Sequence, residues 1–141
     1  MNKFENAILV LSHPDDECLF ASSILESISI LVICFSKIPG EKNISLARQE
    51  SLKTYPLKNF KLVNLDITQS KQSFLPLNWF NIKEKYTGLI GGYQKESYDR
   101  NYSIILEKLR EIIPENSTII THNPWGEYGH SLHCQVFKAS F

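Results

Sequence analysis

The stretch NAILVLSHPDDE (residues 6–17) joins a short apolar run directly to a histidine and three acidic residues. The run AILVL is continuous and rich in branched side chains, which is typical of a parallel strand covered on both faces. The polar residues therefore stand where a buried strand is expected to end. In parallel α/β sheets, binding sites gather at the carboxyl ends of the strands.

Patterns of strands and helices alternate through the rest of the chain. This alternation predicts an α/β layered fold with a mainly parallel sheet and a site at the carboxyl ends of its strands. Asp15 or Asp16 could cap the first helix. Strands are predicted at 6–12, 28–36, 60–67 and 117–123, helices at 17–27, 44–55, 97–113 and 131–141, and loop with short elements at 68–97.

Composition excludes several classes of protein. The 141 residues predict one domain, and 15 basic residues balance 15 acidic ones, so no net charge favours nucleic acid or an anionic membrane. The apolar run near the N-terminus ends in acids, unlike a signal peptide, and ISILVICF (28–35) is far shorter than the roughly 18 residues of a membrane span. Three cysteines without a CxxC pair suit a reducing compartment, so we expect a soluble cytoplasmic protein.

All four histidines lie in two segments, 12–17 and 121–133, at the ends of the first and last predicted strands. His13 and Asp16 are three residues apart around Pro14, and His130 and His133 have the same spacing at the start of a predicted helix. Such spacing places two side chains on one helix face. Because both segments follow parallel strands, we expect them to be neighbours in space.

Each of these residues also has a simpler interpretation when taken alone. Consecutive acids at a helix start interact favourably with the helix dipole. His130 could be a surface or capping histidine, His122 could be packed behind its loop, and the cysteines could be small buried apolar residues. Taken together, however, His13, Asp16 and one or two of the later histidines favour a metal site.

Two histidines and one carboxylate leave coordination positions open, which is typical of catalytic rather than structural zinc. A water bound there becomes a source of hydroxide near neutral pH. Asp15 is the nearest carboxylate that could take the proton of that water, and His130 could polarise a carbonyl or protonate a leaving amine. These parts predict metal-assisted hydrolysis, with an amide as the favoured substrate.

Two motifs resemble those of the LmbE/PIG-L deacetylases, zinc-dependent enzymes that remove acetyl groups from N-acetylglucosamine-type sugars and related amides. SHPDDE (12–17) is similar to their A-H-P-D-D-E signature, and THNPWGEYGHSLHCQV (121–136) is similar to a later motif in which G-H-x-x-H follows a strand. The resemblance implies a Rossmann-like three-layer core, Zn²⁺ or another divalent metal such as Fe²⁺, and an N-acetylated sugar or glycoconjugate as substrate.

The resemblance also implies a role for each matching residue. His13, Asp16 and His133 match the metal ligands, Asp15 matches the general base, and His130 matches the histidine that stabilises the oxyanion and protonates the amine. Three further residues match substrate contacts, with a solvated helix arginine and loop packing as the alternative interpretations: Arg48 in LARQES (46–51), Trp125 and Tyr128.

The chain departs from the family pattern at two points. Leu132 stands where family members usually have Asp or Glu, and only eight residues follow His133, so we expect a single domain over 1–141 that lacks the usual C-terminal part. Besides a sugar N-deacetylase, the sequence leaves open a non-catalytic remnant that binds metal or sugar and a metal hydrolase of another amide, ester or phosphoester. The expected partner is a small molecule, without nucleic acid or membrane insertion, and homo-oligomerisation stays open.

Overall fold

The chain forms four strands and five helices in a computed structural model that describes residue 4, residues 6–71 and residues 93–141. A short 3-10 turn at Ser22–Ile24 follows the first helix. The strands are β1 (Ala7–Leu11), β2 (Ile28–Lys37), β3 (Lys61–Thr68) and β4 (Ile119–Thr121). The helices are α1 (Asp16–Phe20), α2 (Lys42–Lys53), α3 (Lys95–Ile112), α4 (Gly126–Gly129) and α5 (Ser131–Ala139).

All four strands are parallel and form one sheet in the order β3-β2-β1-β4. The central strand β1 is buried along its whole length, as its unbroken apolar run predicts. It pairs with β2 on one side and β4 on the other, so that Leu9 lies opposite Leu31 and Ile120. The expected parallel sheet is confirmed.

Helices cover both faces of the sheet, and a separate hydrophobic core fills each interface. Because side chains alternate across a strand, neighbouring residues of β1 contribute to different cores. The first core packs against α3 and α5 and includes Ile8, Val10, Val32, Tyr98, Ile105, Leu132 and Val136. The second packs against α2 and the segment after α1 and includes Leu9, Leu11, Leu25, Leu31, Ile33 and Leu52. The three layers confirm the α/β sandwich.

The strand order reverses direction at β1. From β1 the chain runs outward to β2 and β3, and it returns to the opposite side of β1 through β4. The hydroxyl of Thr121 donates a hydrogen bond to the carbonyl of Val10 over 2.7 Å, near the carboxyl ends of both strands. A reversal of this kind opens a crevice at the carboxyl ends, where ligands of open α/β sheets bind.

The prediction of one helix over residues 17–27 is wrong. Helix α1 ends at Phe20, and a 3-10 turn at Ser22–Ile24 follows it. Leu19 and Phe20, which recur at helical spacing in the sequence, are 68% and 45% exposed, whereas Ala21 and Leu25 are buried. The pattern misled because the apolar side chains of α1 follow the carboxyl end of β1, where none of the described helices covers them.

The predicted capping of α1 by a side chain is also wrong. Asp15 occupies the N-cap position with φ at 136°, and its side chain makes no capping hydrogen bond. The carboxylate of Asp16 instead accepts the backbone N–H of His13 over 2.8 Å. The acids therefore organise the loop after β1 rather than the helix end.

The other boundaries differ from expectation by a few residues. Helix α3 begins at Lys95 rather than at 97, and β4 covers only Ile119–Thr121 of the strand predicted at 117–123. The loop interpretation of 68–97 falls mostly on 72–92, which lie outside the described residues.

Leu132 offers a test of how much α5 depends on the first core. Its side chain is fully buried, so Leu132→Ala should lower the free energy of unfolding by about 2–5 kcal/mol through lost burial and a residual cavity. The matched control is Leu46→Ala on α2, where the leucine is 53% exposed, and we expect a change within about 0.5 kcal/mol. Urea unfolding measures both variants, and equal effects would contradict the packing described here.

Candidate metal centre

The loops after β1 and β4 meet through direct hydrogen bonds. The backbone N–H of Ser12 donates to Nε2 of His122 over 3.0 Å, and the Ser12 hydroxyl donates to the carbonyl of Leu132 over 3.1 Å. Both bonds are buried and join residues more than a hundred positions apart in sequence. The expected juxtaposition of the two histidine-bearing segments is present.

His13, Asp16 and His133 form a compact set of potential ligands. One side-chain nitrogen or oxygen from each lies within 4.8 Å of the others, and all three residues are buried. Asp16 bridges the set, with Oδ2 3.4 Å from Nδ1 of His13 and Oδ1 3.5 Å from Nε2 of His133. Two imidazoles and a carboxylate are donors that suit zinc and leave positions open.

The charge on Asp16 is stabilised in spite of its burial. Burial by itself raises the pKa of a carboxyl, but the neighbouring rings of His122 and His13 outweigh this effect and hold the pKa of Asp16 far below its usual range. Asp16 is therefore a carboxylate at neutral pH. A divalent cation would compensate the charge of a buried carboxylate that faces several imidazoles, whereas an apolar core could not.

His133 is available as a neutral ligand. Burial lowers its pKa to about 4, with His122 adding to the effect and Asp16 opposing it. Its two nitrogens face different carboxylates, since Nδ1 lies 2.6 Å from Oε2 of Glu127 while Nε2 faces Asp16. A metal requires the neutral imidazole, so this environment suits a ligand.

Asp15 lies beside the cluster but is exposed to solvent. Partial burial raises its pKa, the charge of Asp16 adds to this, and the charges of His13 and Arg48 oppose it. Its backbone N–H donates to Oε2 of Glu17 over 3.0 Å. The φ of 136° at Asp15 is rare for a residue with a side chain, and strained backbone of this kind concentrates at functional sites.

His130 stacks on His133, with ring centroids 4.3 Å apart, and meets the ring of His13 edge-on at 5.2 Å. Burial lowers the pKa of His130 to about 3, and the neighbouring His133 adds to the effect. Its Nδ1 is buried and has no hydrogen-bond partner among the described residues. At neutral pH His130 is therefore a neutral imidazole beside the potential ligands, with hydrogen-bonding capacity to spare.

Glu127 is a site residue that the sequence reasoning missed. Together with His122 and His133 it forms a second group whose ligand atoms lie within 4.8 Å of one another. The motif resemblance pointed to the histidines. At position 132, where the LmbE/PIG-L deacetylases usually have Asp or Glu, this chain has a leucine. The sequence feature that could have indicated this residue is an acid between Gly126 and the pair His130 and His133, on a turn that leads into α5.

His122 lies behind the cluster, with its ring stacked on His133 at a centroid distance of 3.9 Å. Its Nε2 accepts the Ser12 N–H and is 3.4 Å from Oδ2 of Asp16. This position agrees with packing behind the loop, the simpler of the two interpretations drawn from the sequence.

The residues expected to contact substrate occupy different positions. Tyr128 and Trp125 are 70% and 71% exposed, and the Tyr128 ring lies 5.8 Å from those of both His130 and His133. Arg48 is on α2 and donates to Oε1 of Gln69 at 3.5 Å. Phe20, at the end of α1, meets the rings of His122 and His133 at about 6 Å.

No protein-family model, curated protein or solved structure matches this chain. Within the described part, none of the helices combines the length and the hydropathy of a membrane span. The assignment of a function therefore depends on the two motifs and on the donor set that the fold brings together.

Replacing Asp16 tests the donor set. Asp16→Asn keeps the shape of the side chain but removes its charge and one strong donor oxygen. Zinc affinity should therefore fall by more than about 100-fold, beyond the loss that is typical when a residue that only hydrogen-bonds to a metal ligand is replaced. Competition with a chromophoric chelator measures the affinity, and Asp99→Asn on α3 is the matched control. Wild-type affinity in Asp16→Asn would show that this cluster is not the zinc site.

Proposed function

We propose that the chain is a zinc-dependent hydrolase that removes the acetyl group from an N-acetylated sugar or glycoconjugate. The observation that carries the proposal is the buried set His13, Asp16 and His133, flanked by a carboxylate and a neutral histidine that the set does not require. Bound zinc would supply an acidified water and a Lewis acid for the amide carbonyl. The likeness of both motifs to the LmbE/PIG-L deacetylases supports the choice of an amide.

Asp15 is the proposed general base. It is exposed to incoming solvent and substrate, and burial beside Asp16 raises its pKa, which makes its carboxylate a better proton acceptor than that of an ordinary aspartate. Asp15 takes one proton from the water whose oxygen attacks the carbonyl carbon. When the carbon–nitrogen bond breaks, that proton passes to the amine nitrogen. The acetyl group leaves as acetic acid with the oxygen and the second proton of the water, and it releases this proton to become acetate.

His130 is proposed to stabilise the developing charge on the carbonyl oxygen. Its low pKa keeps the ring neutral, so it acts by donating a ring N–H as a hydrogen bond rather than by carrying a full charge. This differs in emphasis from the acid role that the family resemblance implies. Nδ1 of His130 is buried without a partner among the described residues, so hydrogen bonds of that nitrogen do not hold the ring in the fold.

The exposed aromatic rings fit a sugar as the rest of the substrate. Tyr128 stands beside His130, which joins α4 to α5, and beside His133 on α5, and Trp125 just before α4 is 71% exposed. A pyranose presents apolar C–H faces to such rings and hydroxyls to solvent. Arg48 is proposed as a more distant polar contact, because its charge is felt at Asp15 while its side chain is bound to Gln69.

Metal analysis combined with acetate release tests the proposal. The purified chain, loaded with zinc, is incubated with a panel of N-acetylated sugars, and free acetate and amine are measured. Zinc with acetate release supports the deacetylase. Zinc without acetate for every sugar contradicts it and favours a binding protein, and hydrolysis of an ester or phosphoester alone would indicate a different hydrolase.

Asp15→Asn should separate catalysis from metal binding. We expect zinc affinity close to wild type, because Asp15 is outside the ligand set, and a fall in kcat of about 100-fold or more, since a positioned base typically contributes 10²–10⁴-fold. Asp99→Asn again serves as control. Unchanged acetate release from zinc-loaded Asp15→Asn would show that another group takes the proton.

A further inference from the structure

We propose that Glu127 is a positioning residue that fixes the tautomer and the ring orientation of His133, so that Nε2 presents its lone pair to the metal. The inference rests on the proposed metal site and adds a role that neither the histidine motif nor the family resemblance supplied. Glu127 reaches His133 on the side opposite Asp16.

The distances define the tautomer of His133. A neutral imidazole carries one N–H, and Nδ1 of His133 lies 2.6 Å from Oε2 of Glu127, which can only accept. The hydrogen therefore resides on Nδ1 and is donated to Glu127. The lone pair is left on Nε2, which points toward Asp16 and the other ligands. A carboxylate in this position raises the basicity of a metal-binding histidine.

The second ring in contact with Glu127 has the same tautomer. Nε2 of His122 accepts the backbone N–H of Ser12, so its hydrogen is on Nδ1 as well. That Nδ1 is buried 3.2 Å from Oε2 of Glu127, although the contact falls outside hydrogen-bond geometry. Glu127 thus faces the N–H edges of two stacked imidazoles and holds His133 against a ring that is anchored to Ser12, the residue after β1.

The turn before α5 holds Glu127 in place at a cost in strain. Its φ of 58° and ψ of −69° lie outside the helical region, in a conformation that residues with a side chain rarely adopt. The Asn123 side chain accepts the Glu127 N–H over 2.9 Å, and Oε1 of Glu127 accepts the Asn123 N–H over 3.0 Å. The turn also packs tightly, because a Cβ at Gly126 would come within 2.9 Å of Sγ of Cys134.

A second metal ion at His122, Glu127 and His133 fits the distances less well. Two donors on one tetrahedral zinc are separated by roughly 3.3 Å, given metal–ligand bonds of about 2.0–2.1 Å. The Nδ1–Oε2 distance of 2.6 Å is that of a short charge-assisted hydrogen bond. Two ions would also require both nitrogens of His133 to be deprotonated. The geometry therefore favours one ion and a carboxylate behind its ligand.

Glu127→Gln is the informative substitution because an amide has only one acceptor oxygen. In the wild type, one oxygen accepts the Asn123 N–H and the other accepts the His133 N–H, and a glutamine cannot satisfy both. Glu115→Gln, on the exposed turn after α3, is the matched control. We expect zinc affinity to fall about 10–100-fold in Glu127→Gln, the range typical for loss of a residue that hydrogen-bonds to a metal ligand. In Glu115→Gln we expect it to stay unchanged.

Ring nitrogen NMR of the metal-free wild type supplies a readout that does not depend on the variant folding. Correlation spectra at neutral pH should show His133 with its hydrogen on Nδ1, and Glu127→Gln should lose this fixed pattern. A hydrogen on Nε2 of wild-type His133, zinc affinity within twofold of wild type in a folded Glu127→Gln, or two zinc ions per chain would each overturn the inference.

Failure of the inference can be distinguished from failure of the proposed function. Tight zinc binding with the expected tautomer but no acetate release contradicts the deacetylase and supports the role of Glu127. Acetate release with the hydrogen on Nε2 contradicts only the role of Glu127. A wild-type chain that binds no zinc overturns both.

Discussion

The parallel pairing of β1 with β4 is the constraint on which the candidate site depends. It joins Ile8–Val10 to Ile119–Thr121, two segments at opposite ends of the described chain. Without that pairing, the loop that carries His13 and the helix that carries His133 would have no reason to meet. Because β4 is only three residues long, its position depends on buried contacts at its carboxyl end as well as on the strand ladder. The bond from Ser12 to His122 is one of these contacts, so the site and the pairing of the strands stabilise each other.

A single buried negative charge organises the residues around it. Asp16 is 3% exposed, and an unpaired carboxylate at such a position would be strongly destabilising. The backbone N–H of His13 and the surrounding imidazoles compensate part of this cost, while the same burial keeps His130 and His133 neutral. A buried carboxylate beside the neutral rings of His130 and His133 leaves a negative charge that a divalent cation would offset. Asp16 accordingly accepts a hydrogen bond within the loop after β1, and no side chain caps the start of α1.

The sequence contained most of the fold and part of the site. The uninterrupted apolar run of β1 and the helical repeat of α3 have strong periodicities, and both elements are present close to their predicted bounds. The meeting of the two histidine segments followed from one topological rule about strand ends. The pattern failed at α1, because Leu19 and Phe20 repeat as a buried face would but stand at the open end of the sheet. Periodicity describes the spacing of apolar residues, and it does not reveal whether another layer covers them.

Glu127 shows why a site cannot be completed by matching positions in a motif. Leu132 precedes His133 on α5, and successive residues of a helix are rotated by about 100°. A side chain at position 132 therefore points away from the direction of His133, and here it fills the first core. A carboxylate at that position would be buried among apolar groups. A carboxylate can instead approach Nδ1 of His133 from outside the helix, and the turn before α5 provides that route. The positive φ of Glu127 and the absence of a side chain at Gly126, whose Cβ would come within 2.9 Å of Sγ of Cys134, let the turn follow that route.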